Sequence, residues 1–341
     1  MASISTSKAE ISYIQSGLLS KPPLRADGRA LHDYRSISLE TGVAPLANGS
    51  AHLNIGRNPH DGGGGTEVLA AAKLEVENVG PGQGEGVDGG RIVCTVSCSP
   101  SAYPHLSAPA LDDLQHDLST LLHQTLANPS LHPANLGILP GKKGWLLNLD
   151  CVVLADAGNT HDALFLAARA ALWDCKVPRT RAVEYKAVIA PSANEAEGGA
   201  AMDVDREAQS GFDTRAIARA VDFELPDYWD EGAVLGGREK WPVCVTLNVA
   251  APPVHYLDAI LQEEAATPLR LLLVFSFPPS APPNLHAMRM LGPGELELEQ
   301  IKELVADGQK YAQKLWDALN AKLKEEDVRR GQKARDRFAR R

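Results

Sequence analysis

The sequence predicts an α+β protein built from two halves, each of which is a sheet followed by an amphipathic helix. Short segments with apolar residues at alternate positions, separated by Gly, Asn and Pro, predict strands of an antiparallel sheet. Longer segments with apolar residues three and four positions apart predict the helices. An acidic stretch poor in large apolar residues, 192–216, separates the halves and is expected to be a disordered insertion.

The first half begins with a short helical lead-in, residues 1–24, which Lys21-Pro22-Pro23 ends because proline cannot continue a helix. Three strands are expected next: SAHLNIG, TEVLAAAKLEVENV and RIVCTVSCS. The Gly-rich stretch 60–66 lacks the Lys-Ser/Thr of a phosphate loop, so we expect a flexible hairpin tip. The second Gly-rich stretch, 80–90, is expected to be a mobile loop.

Farther along, residues 111–128 have the periodicity of an amphipathic helix. WLLNLDCVVLAD is expected to be a long buried strand that ends at the Gly158-Asn159 turn, before the helix HDALFLAARAALWDC. Asp150 and Asp156 flank CVVLA and would point to the same side of a strand, where they could pair for acid–base chemistry. Alternatively, one caps the following turn and the other is a strand-end charge.

The second half is expected to hold the strands WPVCVTLNVA, VHYLDAIL and LRLLLVFSF, followed by a long final helix over 295–326. Asp258, Glu263 and Glu264 form an acidic group whose spacing alone is ambiguous. The expected domains are therefore residues 25–191 and 217–327, with a basic tail at 328–341.

Composition limits the function. The net charge is −9, with 34 Lys and Arg against 43 Asp and Glu, which argues against nucleic-acid binding by bulk charge. Residues 322–341 carry +5, so residues 1–321 carry −14. No apolar run reaches the ~18–20 residues that a membrane helix needs. The five Cys are expected to be reduced core thiols, and we expect no metal and no cofactor.

Three segments in order resemble the ribonuclease PH family. They are RADGR with Tyr34-Arg35, the hairpin pattern from Asn48-Gly49-Ser50 to Lys73, and DCVVLADAGNTHDAL. In detail, PGKKGW and ALWDCKVP resemble the noncatalytic ring subunits of the eukaryotic RNA exosome, of the ribosomal RNA processing protein 42 type. The resemblance covers about residues 20–320 and implies the RNase PH fold, which is ribosomal protein S5 domain 2-like.

The resemblance also locates the positions at which active members bind phosphate. Those members use a Thr-Arg pair directly after two glycines, whereas this chain has Thr160 and His161 there. Arginine is permanently charged and bidentate, but histidine is mostly neutral at pH 7. The Asp that precedes the glycines is replaced by Ala157, with Asp156 displaced by one position.

Glu264 and Arg270 align with Asp residues of the active members. Phosphorolysis needs a carboxyl general acid, and an arginine does not release its proton in this pH range. We therefore expect no catalysis by this chain. The alternative is an active phosphorolytic 3′–5′ exoribonuclease that uses His161 as a substitute clamp and Glu264 as the acid; an unrelated small-molecule enzyme is a weaker third hypothesis.

The implied function is structural: a six-membered exosome ring whose channel is threaded by single-stranded RNA during rRNA maturation and RNA turnover. The implied partners are other RNase PH-like ring subunits, RNA-binding cap subunits and an associated exoribonuclease, without a membrane. The implied location is the nucleus, nucleolus and cytoplasm.

Local charges suggest where contacts would lie. Lys142 and Lys143 are candidates for RNA contact, or form an ordinary solvated turn. Arg25, Asp27, Gly28 and Arg29 are expected to be structural, with ion pairs at a junction between subunits or between the halves. The basic tail could touch RNA or an acidic partner, or could simply solubilise the end of the helix.

Overall fold

The computed structural model describes residues 6–56, 64–79, 89–183, 186–188, 215–217, 222–226, 232–279 and 281–339. The helices within these ranges are α1 (Lys8–Leu19), α2 (Ala108–Leu126), α3 (Thr160–Asp174), α4 (Leu261–Ala266) and α5 (Leu298–Ala339). The strands are β1 (Ile37–Thr41), β2 (Gly49–Ile55), β3 (Thr66–Asn78), β4 (Arg91–Cys98), β5 (Gly137–Leu139), β6 (Lys143–Ala155), β7 (Lys176–Val177), β8 (Arg181–Val183), β9 (Lys186–Val188), β10 (Arg215–Ile217), β11 (Asp222–Glu224), β12 (Ala233–Val234), β13 (Val243–Ala251), β14 (Val254–Tyr256), β15 (Arg270–Ser276) and β16 (Asn284–Leu291).

The first sheet has the strand order β1-β2-β3-β6-β4, with β5 also paired to β6. Its pairs are antiparallel except for β4 and β6, which run parallel. The prediction of a purely antiparallel sheet is therefore wrong at β4. A parallel pair needs a long crossover, and the 44 residues between Cys98 and Lys143, including α2, supply it.

The second sheet has the order β14-β13-β15-β16 and is antiparallel throughout. The strand expected over VHYLDAIL is too long, because β14 ends at Tyr256 and Asp258 then takes a left-handed φ of 47°. Strand β16 is not foreseen from the sequence. It is an edge strand on which Met288 and Met290 remain about half exposed, at 51% and 48%.

Helix α3 lies between the two sheets and contacts β2, β3 and β13. All of its residues except His161 are buried, which explains the run of alanines that permits close packing. Helix α5 covers the second sheet through a stripe that includes Leu304, Leu315 and Leu323. It continues to Ala339, so the segment expected to be a basic tail is helical over most of its length.

All five cysteines are buried and free, and burial raises the pKa of the Cys94 thiol to about 12. Within the described ranges, the structure holds no helix that is long and apolar enough to cross a membrane. Residues 60–63 and 80–88 of the two Gly-rich stretches, and residues 192–214 of the acidic insertion, lie outside the described residues.

The suggested pairing of Asp150 with Asp156 is wrong. Asp150 lies within β6 and accepts a hydrogen bond from Thr95, while Asp156 follows the strand and accepts the Gly158 N–H at 2.8 Å. Six residues of extended strand separate the two carboxylates by about 20 Å. Asp156 thus caps the turn, as the alternative interpretation predicts.

Candidate functional site

The turn that enters α3 is the centre of the candidate site. Gly158 has a φ of 94°, and Asn159, the residue that precedes the helix, has a φ of 61°. A Cβ on residue 158 would lie 2.4 Å from the carbonyl oxygen of Ala259, so only glycine permits this approach of the second half. Thr66 fixes the turn by donating to the Gly158 carbonyl and accepting the Ala157 N–H at 3.0 Å.

The carboxylate of Asp258 binds two arginines and an amide side chain that come from two other segments. Its carboxylate pairs with Arg35 at 2.7 Å and Arg29 at 2.9 Å, and accepts from the Asn159 side chain at 3.0 Å. Burial raises the pKa of Asp258, but the hydrogen bonds and charge of Arg35, together with the charge of Arg29, outweigh it and hold the pKa below its usual value. This fully buried aspartate therefore remains ionised in the folded chain.

A second ion pair lies next to it. Arg25 meets both carboxylate oxygens of Glu263, at 2.6 and 3.0 Å, and donates to the Leu257 carbonyl at 2.9 Å. Asp27 pairs with Arg29 at 2.6 Å, and Gly28 has a φ of 75°. The structure thus places the RADGR segment against the second half of the same chain, where Arg25, Asp27 and Arg29 all form ion pairs.

Glu264 lies beside the turn that enters α3. One of its carboxylate oxygens accepts the Asn159 N–H at 2.8 Å, and the other pairs with Arg270 at 3.1 Å. Burial, together with the charge of Asp156, raises the pKa of Glu264 even though Arg270 and the Asn159 N–H act in the opposite direction. Each of its two carboxylate oxygens thus already has a partner within the chain, the Asn159 N–H or Arg270.

His161 lines the same opening from the first turn of α3. Partial removal of the ring from solvent and, next, the positive charge of Arg270 lower the pKa of His161 to about 4. The ring is consequently neutral at physiological pH and offers no positive charge to an anion. Ala157, which replaces the Asp expected before the glycines, contributes its backbone carbonyl, which accepts from Arg35 at 3.0 Å.

Sequence reasoning overlooked a buried carboxyl at the junction of the halves. Asp162 accepts hydrogen bonds from Thr246 at 2.8 Å and Tyr34 at 3.1 Å. Burial raises its pKa to about 6. The sequence does show an acidic residue in the first turn of a mostly apolar helix. This signal does not distinguish a buried acid from the exposed acids that commonly occupy that position.

A cleft of about 590 Å³ opens onto these residues. One wall is apolar and comes from α1, α2 and α4, including Ile11, Leu114 and Leu261. The other polar and titratable groups around it are Thr6, Tyr103, Asp113, Asp117, Asp156, Thr160, His161, Glu264 and Arg270. Among the described residues, no group of His, Cys, Asp and Glu is arranged to hold a metal ion.

The two candidate RNA-contacting lysines lie elsewhere. Lys143 pairs with Asp222 at 2.9 Å, and its ammonium is 5.3 Å from the centre of the Phe223 ring. It begins β6, whose other end leads to the cleft about 40 Å away. The carbonyl of Lys142 accepts the Val79 N–H at 2.8 Å. The structure does not bring these lysines to the candidate site.

Comparison with curated proteins finds exosome components. The chain is 27% identical over 246 residues to an exosome complex exonuclease RRP42 of Dictyostelium discoideum, covering 58% of this chain and 73% of that protein. It is 35% identical over 157 residues to the exosome complex component Rrp42 of Sulfurisphaera tokodaii, covering 46% of this chain and 53% of that one. The chain thus spans about half to three quarters of these relatives.

Solved structures give the same fold. The Archaeoglobus fulgidus exosome with RNA bound to the active site matches with a TM-score of 0.61 at 22% identity, covering 91% of this chain and 97% of that one. An archaeal exosome core matches with a TM-score of 0.58 at 20% identity, covering 92% and 96%. Residues 33–178 match the model for the 3′ exoribonuclease family, domain 1. The chain therefore has the RNase PH fold, and its residues 33–178 are similar to domain 1 of the 3′ exoribonuclease family.

Proposed function

We propose that this chain is a noncatalytic ring subunit of an exosome core. Its curated relatives are named exosome complex exonuclease RRP42 and exosome complex component Rrp42, and its fold is that of exosome core subunits over 91–92% of its length. In this function the chain contributes a wall of the RNA-threading channel, while RNase PH-like subunits, RNA-binding cap subunits and an associated exoribonuclease complete the assembly. We place it in the nucleus, nucleolus and cytoplasm.

Two groups that phosphorolysis requires, a cation that holds phosphate and a free general acid, support the proposal of no catalysis by their condition in this chain. A cation must hold phosphate beside the scissile bond, and a free acid must protonate the leaving oxygen. At the clamp position His161 has a pKa of about 4 and is neutral. Glu264, the remaining candidate acid, is paired with Arg270 at 3.1 Å and bound by the Asn159 N–H at 2.8 Å.

An edge strand of the second sheet supports assembly into a ring. Strand β16 ends that sheet, and an exposed edge is a liability unless another element covers it. Met288 and Met290 add exposed apolar surface to β16. A neighbouring ring subunit at this edge would remove the backbone groups and the methionines from solvent. RNA contact through Lys142 and Lys143 belongs to the same proposal, as a local interaction inside the channel.

An activity assay separates the ring proposal from the enzyme alternative. The full chain, alone and with its copurifying ring partners, is incubated with single-stranded RNA and inorganic phosphate, and nucleoside diphosphates are measured. We expect no release above the no-protein background. Release that disappears in both His161→Ala and Glu264→Gln would overturn the noncatalytic assignment. Lys73→Ala is the matched control, because Lys73 is exposed and pairs with the exposed Glu75.

Assembly is tested by native mass spectrometry of the chain captured from its own cells. A particle that contains several RNase PH-like subunits and cap proteins is the expected result. Capture of the chain as a monomer, or with unrelated proteins only, would overturn the ring proposal.

A further inference from the structure

The cleft beside α1, α2 and α4 carries an excess of negative charge. Four carboxylates line it, and arginines neutralise two of them. Glu264 pairs with Arg270 at 3.1 Å, and Asp117 pairs with Arg289 at 2.8 Å. The other two carboxylates form no ion pair with any described residue. The lining of the cleft therefore presents two negative charges without a cationic partner.

These two carboxylates are Asp113 of α2 and Asp156, which follows β6. Asp113 is exposed, and Asp156 is partly buried and accepts the Gly158 N–H at 2.8 Å. An ionised carboxylate has about four acceptor sites on its two oxygens, so both acids keep capacity for a further donor. Like charges gathered at the wall of a cleft attract cations and repel anions.

The apolar wall of the same cleft is built in advance. It includes Ile11 of α1, Leu114 of α2 and Leu261 of α4. Helix α1 is fixed against α4 by the Gln15 side chain, which donates to the Ala266 carbonyl at 2.7 Å. Because Gln15 lies four positions after Ile11, the face of α1 that makes this bond also lines the cleft. A wall that is already in place lowers the entropic cost of binding.

We propose that this cleft binds a short segment of a partner protein in which an arginine or lysine is flanked by leucine-like residues. The apolar side chains of the segment would cover the apolar wall, and its basic group would donate to Asp113 and Asp156. The volume of about 590 Å³ lies within the ~300–1,000 Å³ of typical binding pockets. This proposal goes beyond ring assembly and does not depend on it.

Charge and polarity favour this occupant over two others. A nucleic acid would bring phosphates, which the two unpaired carboxylates repel. An uncharged apolar molecule would cover the same carboxylates without offering them a donor, and burial of an unsatisfied charge is costly. A cationic group on an apolar body satisfies both walls of the cleft.

Three matched peptides test the proposal on the full chain. The first is acetyl-Leu-Leu-Arg-Leu-Leu-amide, the second has Glu in place of Arg, and the third has Ser in place of every Leu. We expect isothermal titration calorimetry at pH 7.5 and low salt to show saturable binding of the first peptide. Its affinity should be at least about tenfold higher than that of the other two, because each of them lacks one of the two complementary features.

Variants of the chain locate the binding. Asp113→Asn should weaken the first peptide about two- to fivefold, as expected for one exposed charge, and Asp113→Asn/Asp156→Asn should weaken it further. Asp112→Asn is the matched control, since Asp112 is the exposed neighbour of Asp113 on α2 and does not line the cleft. On the apolar wall, Ile11→Ser should weaken binding, whereas Tyr13→Ser, at a position 79% exposed on the same helix, should not.

Each outcome decides for or against the proposal. Selective binding of the first peptide that is lost in the cleft variants and retained in Asp112→Asn and Tyr13→Ser supports it. Equal weakening in Asp112→Asn would show that overall charge controls binding and would overturn it. Competition by a single-stranded RNA would assign the cleft to nucleic acid and also overturn it. Absence of saturable binding to the folded chain would do the same and would leave the ring proposal intact.

Discussion

The guanidinium of Arg25 and the carboxylate of Glu263 form a two-point ion pair with no exposed side-chain surface, although 238 residues separate them in the sequence. The pair holds the segment after α1 against α4 in the second half. Because the pair is buried, removal of one partner should strongly lower the free energy of unfolding, since the remaining charge cannot be solvated by water.

Arg25→Met should lower the free energy of unfolding by about 3–5 kcal/mol, because Glu263 would remain buried without its partner. Urea denaturation followed by circular dichroism measures the loss. In the double variant Arg25→Met/Glu263→Met, the loss should be smaller than the sum of the two single losses. Lys73→Met breaks an exposed pair and should cost no more than about 1 kcal/mol. A loss of that size in Arg25→Met would contradict the prediction.

Asp258 should make stability sensitive to acid. Its pKa in the folded chain lies below that in the unfolded chain, because Arg35 and Arg29 favour the carboxylate form in spite of burial. Its contribution is therefore fully present above the unfolded pKa of ~3.9 and is lost as the pH falls through the folded pKa. Asp258→Asn should be less stable at pH 7 and should lose less stability than the unsubstituted chain between pH 5 and pH 2. Urea midpoints across that range measure both effects, and parallel curves would contradict the assignment.

His161 should titrate far below an ordinary histidine. Partial removal from solvent and Arg270 lower its pKa to about 4, so the folded chain favours the neutral ring. Its contribution to stability is complete above the unfolded pKa of ~6.5 and is lost as the pH falls from there to about 4, a change of at most about 3 kcal/mol. NMR of ring-labelled histidine, with His161→Gln to identify the resonance, reports the pKa. A value near 6.5 would contradict the neutral state used in the proposed function.

Gly158→Ala should destabilise the chain, because the added methyl group would push the turn before α3 away from the second half. The new Cβ would lie 2.4 Å from the Ala259 carbonyl oxygen, and the φ of 94° disfavours any other residue. Gly141→Ala is a matched control: its φ of 68° is also positive, but no atom lies within 4 Å of the added carbon. The control should cost about 1–2 kcal/mol from the backbone alone. Gly158→Ala should cost clearly more in a thermal or urea melt, and equal costs would contradict the close contact.

The fold was largely predictable from the sequence where one face of an element is buried. The pattern of WLLNLDCVVLAD predicted β6, and HDALFLAARAALWDC predicted α3, because continuous burial leaves a clear apolar signature. The direction of β4 was not predictable, since side chains alternate in the same way in parallel and antiparallel strands. Strand β16 was missed because its exposed methionines give it no regular alternation.

The site was only partly predictable. Resemblance identified the positions of His161, Glu264 and Arg270, and residue chemistry indicated what each could not do. The bond from Glu264 to the Asn159 N–H was beyond sequence reasoning, because every residue carries such a backbone donor and only the folded turn aims it. The hydrogen bonds of Asp162 to Tyr34 and Thr246 likewise join segments that are far apart in the chain.

The place of β6 in the first sheet has a consequence for synthesis of the protein. Strand β3 pairs with β6 from Glu67 to Asn78, yet β4 leaves the ribosome before β6 does. At 5–20 residues per second, translation of the 44 residues between β4 and β6 takes about 2–9 seconds. During that interval the long edge of β3 is open to incorrect partners, including β4. The speed of translation across residues 99–142 should therefore govern how much of the nascent chain folds correctly and how much aggregates.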